Sequence, residues 1–189
     1  AGGLSMGSGG SAYLRAAGDL NVSTSLSVTG NLLLSSAGVL TLPTAGISTT
    51  GALSLSGTTD VVTAASGVAA RELQLAGDSI YLRSGAAGGD TKLTTTTNAV
   101  DAALTGAGAL TVNNTGSLAS TQLVTTDGDI TATSSAGMMA DSVIAGGAGR
   151  TIALLAVSGD LTVGPLNAGS NGALTLSATS GSLLTSSAS

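Results

Sequence analysis

Residues 159–185 read GDLTVGPLNAGSNGALTLSATSGSLLT, and one short phrase occurs in them three times. Gly159-Asp160-Leu161, Gly172-Ala173-Leu174 and Gly181-Ser182-Leu183 each set glycine, a small or polar residue and leucine at the head of a strand-like stretch. The stretches alternate apolar and polar residues, as in Leu174-Thr175-Leu176. A period of two belongs to a strand with one face buried. The glycine sits where the chain turns, and Asp or Asn beside it is turn chemistry, because Gly, Asn and Asp tolerate positive φ.

Outward from this stretch, the phrase recurs as GDLNV from Gly18, GNLLL from Gly30, GVLTL from Gly38, GALSL from Gly51, GDSIYL from Gly77, GALTV from Gly108, GSLAS from Gly116 and GDITA from Gly128. Single steps vary, but every second step is steady: Gly18 to Gly38 equals Gly108 to Gly128, and Gly30 to Gly51 equals Gly128 to Gly149, the second pair being longer by one. The unit is therefore about 20 residues and carries two strands. Strands this short cannot bury an apolar face in isolation, whereas stacked coils set Leu on Leu along one continuous core. The spacing predicts an all-β chain folded as a single-stranded parallel β-solenoid. The shaft is expected over 18–184, with a small-residue leader or a preceding coil over 1–17 and a small-residue tail or continuation over 185–189. Insertions are expected at 58–71 and 94–105, where the phrase lapses, and Leu161 and Leu174 are expected inside.

Composition supports a thin stacked core. The chain of 189 residues is 42% hydrophobic, enough to fold, yet has no Phe or Trp and only two tyrosines, Tyr13 and Tyr81. Large globular cores lean on aromatics, so this core is built from Leu, Val, Ile and Ala. The scarcity of aromatics argues against a β-sandwich, which shares the short strands at regular spacing. Gly, Ser, Thr and Val spread throughout argue against a helical repeat.

Charge is sparse, at 8% of residues with a net of -5, and the basic residues Arg15, Arg71, Arg83, Lys92 and Arg150 are scattered. That pattern offers no footprint for a nucleic-acid backbone and no polybasic membrane patch. The most apolar window, SVIAGGAGRTIALLAVSG, is broken by Arg150 and by glycines, so no membrane insertion is expected. Residues 1–18 lack a charged start followed by an apolar core and do not read as a signal peptide. Without cysteine, neither a disulfide framework nor a thiolate metal site forms.

Chemistry is thin. Gly3-Leu4-Ser5-Met6-Gly7 matches a hydrolase nucleophile elbow, but the chain has no histidine to activate Ser5. Asp127 and Asp129 flank Gly128, a pairing that turn preference explains; calcium takes six to eight oxygens, and no calcium-loop pattern accompanies them. Asp60, Asp90 and Lys92 are the remaining acid and base candidates for a carbohydrate-active site, with no aromatic platform to stack a sugar. Thr94 to Thr97 and the Thr131, Thr133 pair suggest an ice-binding hydroxyl array in isolation, but at coil spacing the thread is not expected to continue, leaving outward Thr as a strand former. Asn21 and Asn113 head glycosylation patterns. No catalytic, cofactor-binding or metal-ligating residue is assigned, and no cofactor is expected.

The GDLTV, GALTL and GDITA phrases, set on this two-strand unit, resemble the shaft repeats of filamentous haemagglutinins and related exoproteins exported by two-partner secretion. The resemblance covers about 18–184 and implies a right-handed parallel β-helix at a bacterial surface, serving as a stalk in adhesion, biofilm formation or cell contact. No secretion domain, Arg-Gly-Asp sequence or toxin-like segment accompanies the repeats, so no binding residue carries over. The partners expected are adjoining coils of the same long chain, or copies stacked end to end into an extracellular filament or matrix, and an undefined surface receptor. A solenoid enzyme or carbohydrate binder is a third expectation.

Overall fold

The computed structural model describes residues 10–87 and 89–186. Its strands are all parallel and stack as a β-solenoid of about eight turns with coils of about 21 residues. At about 4.8 Å per coil, the stack is about 38 Å long.

Two sheets run the length of the stack. The first carries Ala12–Ala16, Leu32–Ser36, Ala52–Gly57, Ser79–Ser84, Ala99–Ala107, Leu118–Asp127, Met138–Ala145, Leu161–Val163 and Leu183–Thr185 in that order, with Leu166–Asn167 pairing to its side. The second carries Leu26–Val28, Ile47–Thr49, Glu72–Ala76, Thr91–Thr96, Leu110–Asn114, Ile130–Ser134, Thr151–Ala156 and Ala173–Ala178. A short third sheet of Leu20–Asn21, Val39–Leu42 and Asp60–Thr63 closes the first three coils. Beyond it the first-sheet strands lengthen, to Ala99–Ala107 and then Leu118–Asp127. They absorb the vanished face through register shifts, one of them between Leu104 and Ala107. Coil length is thereby conserved while the cross-section changes. The ladder begins at Ala12, within the stretch expected as leader or preceding coil.

The core is a set of columns rather than a packed ball. In the first sheet Leu34, Leu55, Leu82, Ala102, Leu123 and Val143 pair in register from coil to coil. In the second, Leu73, Leu93, Val112, Ala132 and Leu154 do the same. All of them are buried, and each leucine so placed contributes roughly 1.5–3 kcal/mol. Both tyrosines stay outside, so the interior needs no aromatic. Leu161 is fully enclosed, as expected. Leu174 differs: it stacks on Ile152 in the inward column but is 51% exposed, because its strand is the outermost of the second sheet and packs on one side only.

The insertion expected at 58–71 is present. Leu53 pairs with Ile80 and Ile47 with Leu75, and both steps are well longer than the one from Leu118 to Met138. The surplus forms a 3-10 turn at Gly67–Arg71. The insertion expected at 94–105 is absent. Ile80 pairs with Val100 and Leu93 with Val112, both steps of ordinary coil length. The run TKLTTTTNAV holds the strand Thr91–Thr96, a corner and the start of the next strand, and beside Leu93 its inward positions Thr91, Thr95 and Thr97 are threonines, so both faces carry this residue type and the alternation is hidden.

Candidate functional site

The charges gather at the insertion. A cleft of about 880 Å³ opens beside the 3-10 turn, lined among others by Arg71, Glu72, Asp90 and Lys92. Asp60 lies behind it, 4% exposed, and accepts from Arg71 Nη2 at 2.6 Å, from Ser84 Oγ at 3.1 Å and from the Val61 N–H at 2.9 Å. Lys92 Nζ meets Glu72 Oε1 at 3.4 Å across one coil step. Asp90 Oδ1 accepts from the Ala109 N–H at 2.8 Å. The structure thus brings Asp90 and Lys92 to one cleft and keeps Asp60 out of it, with each of these groups engaged by a neighbour. A general base needs a lone pair within reach of a substrate proton, and Asp60 spends its oxygens on three donors.

The other acidic candidates also have structural partners. Asp127 takes the guanidinium of Arg150 from the next coil, and Asp129 Oδ1 accepts from the Thr151 N–H at 2.8 Å. Among the described residues no group of three or more metal-binding side chains occurs. The Gly3–Gly7 segment lies outside the described residues. Asn21 is exposed and Asn113 lies on the outer face of the second sheet, whereas Asn114 is buried.

Asp129 exemplifies a rule that turn preference alone does not reveal. At five corners the Asp or Asn that follows glycine reaches into the next coil and accepts a backbone N–H there, whereas Asp78 accepts from the Asn98 side chain. Asp19 takes Val39, Asn31 takes Ala52, Asp90 takes Ala109, Asp129 takes Thr151 and Asp160 takes Ser182, each at 2.8 Å. None of these acceptors has positive φ, which Asn171, preceding Gly172, does adopt, so the expectation of positive φ is corrected for the residues that follow glycine. They are struts between coils.

The outer face of the second sheet has the opposite character. Lys92 pairs in register with Thr111, Thr111 with Thr131, Thr94 with Asn113 and Asn113 with Thr133. The threonine thread breaks off, as expected: one column reads Lys92, Thr111, Thr131, Ala153 and Thr175 and the other Thr94, Asn113, Thr133, Leu155 and Ser177, so Thr111 on Thr131 is the one Thr-on-Thr pair in these two columns. The columns keep no fixed spacing in the sequence, because successive one-coil steps lengthen from Thr94–Asn113 to Thr111–Thr131 and again to Thr131–Ala153. The signal available in sequence is the alignment of KLTTT, TVNNT and ITATS on their inward residues.

Comparison with family models, with curated proteins and with solved structures gave no match.

Proposed function

We propose that this chain is a length of shaft from a secreted bacterial surface protein, serving adhesion, biofilm formation or cell contact by supplying reach and stiffness without catalysis. The observation that supports this reading most is the use of polar chemistry inside the stack. The acidic side chains at the glycine corners bind the neighbouring coil, and the acids singled out as catalytic candidates are tied to basic or backbone partners. A rod in which polar side chains join one coil to the next resists bending and separation of its coils. The resemblance to haemagglutinin shaft repeats points to the same role.

Two measurements on the native source test it. An antibody raised against the solenoid is expected to label intact cells, and the fully denatured chain is expected to be several times longer than 189 residues. Labelling only after cell lysis overturns the surface assignment. A mature chain of about this length replaces the stalk with a subunit that stacks into a filament.

A further inference from the structure

We propose that the insertion at 64–71 is a strap that closes a strand edge left open midway along the rod, and so keeps copies of the chain from joining there strand to strand. The edge arises because the third sheet ends partway along the stack. Asp60–Thr63 is its last strand and pairs only with Val39–Leu42 among the described residues. The following coil passes from Ser84 to Lys92 in far fewer residues than the insertion-bearing coil takes between their register partners, Gly57 and Glu72. It lays no strand beside Asp60–Thr63. An unpaired edge offers its N–H and C=O groups to another extended chain, and β-branched residues such as Val61 and Val62 favour that pairing.

Side chains and the strap occupy this edge. The Val61 N–H meets Ser84 Oγ of the following coil at 3.0 Å and Asp60 Oδ1 at 2.9 Å, in place of a strand carbonyl. Arg71 Nη2, at the end of the strap, returns to Asp60 Oδ2 at the start of the strand, at 2.6 Å. Thr63 Oγ1, at the end of the strand, donates to the Ala69 carbonyl at 3.2 Å and accepts from the Ala65 N–H at 3.3 Å. The strap therefore brackets the edge at both ends, and Asp60, Val61 and Thr63 are buried.

A second observation separates this role from core packing. None of residues 64–71 is buried, and Val68 in the 3-10 turn is 89% exposed. The insertion adds nothing to the apolar columns, and the bonds that fix it run to the strand it covers. The occupant it shuts out is a second copy of the chain. Two identical edges pair antiparallel about a twofold axis, each supplying the other's donors and acceptors, and a chain with charge on only 8% of its residues sets little repulsion against that approach.

The chain has no cysteine, so Val62→Cys, on the less buried side of the strand, reports the contact. With diamide as oxidant, thiols of two copies link where the edges meet, whereas copies stacked end to end hold them many coils apart. With the strap pinned, Val62→Cys is expected to remain a monomer on a non-reducing gel. Combined with Asp60→Asn, Thr63→Val and Arg71→Leu, which release both ends of the strap without leaving a buried charge unpaired, it is expected to give the linked dimer as the main species. Ser54→Cys, on the outside of the first sheet, is expected to give none in the same background. Absence of the dimer from a released chain with unchanged circular dichroism overturns the proposal, as does equal linking with the strap pinned, or linking at Ser54→Cys as strong as at Val62→Cys. If the released background unfolds, Asp60→Asn with Arg71→Leu frees one end alone and decides the matter: more dimer than the pinned chain supports the strap, and no more overturns it.

Discussion

Asp160→Ala removes one hydrogen bond, from the Ser182 N–H in the next coil, and leaves that donor at an exposed corner. The closest analogue is loss of a helix N-cap, so the expected cost is about 1 kcal/mol, read as a Tm lower by about 2–4 °C for a chain of this size. An unchanged Tm would show that water replaces the strut at no cost. Glycine in the same phrase makes a sharper test. At Gly128 an added Cβ would collide with the Gly108 backbone of the previous coil, whereas at Gly18 it would meet nothing within 4 Å. Gly128→Ala is expected to destabilise the fold, and Gly18→Ala to stabilise it by about 0.4–1 kcal/mol through the unfolded chain. Two denaturation midpoints that move together would refute that distinction. Burial separates two leucines in the same way. Leu161→Asp places an unpartnered charge in a closed column and is expected to melt the local stack, while Leu174→Asp, half exposed, is expected to shift Tm far less.

At the level of elements, the corners and the insertion decide stability. Several strands end in a buried hydroxyl that donates to a carbonyl just around the turn. Ser36 donates to Val39 at 3.0 Å, Thr49 to Gly51 at 2.7 Å, Thr125 to Gly128 at 2.6 Å and Ser134 to Gly137 at 3.0 Å. These bonds fold the side chain back onto the corner, and the Gly51 and Gly137 carbonyls accept the Asp78 and Leu118 N–H groups of neighbouring coils as well. The insertion is held differently, by the Asp60–Arg71 pair. Asp60→Ala leaves the Arg71 guanidinium without its counter-charge and is expected to cost about 3 kcal/mol, measured as the urea midpoint. Replacing both, Asp60→Asn with Arg71→Leu, is expected to recover most of that loss. A double variant as weak as the single one would place the stability elsewhere in the loop.

Across the whole molecule, each coil touches only its neighbours, so stability is a sum of coil terms and nearest-neighbour terms. A charge buried mid-stack should therefore loosen the structure locally. In Leu123→Asp, amide protection is expected to collapse in the flanking coils around Ala102 and Val143, which pair with Leu123, while amides near Leu34 and Leu55 keep theirs. Uniform loss of protection along the rod in hydrogen exchange would reveal global cooperativity instead.

The sequence by itself determined the period, the strands and the sheet-forming residues, because alternation and glycine spacing are local properties that a single coil expresses. It also pointed to the insertion at 58–71, where the phrase lapses for lack of a strand. Only the tertiary structure decided which residues stand on one another. Coil lengths vary slightly from turn to turn, so the column that joins Thr94, Asn113 and Thr133 has no fixed interval in the sequence. Threonine fits either side of a strand, and for that reason the regular run at 94–105 reads as irregular. The roles of Asp and Ser at the corners were hidden for a related reason. Their partners lie a full coil away or around the turn, and only stacking brings those backbone groups within reach.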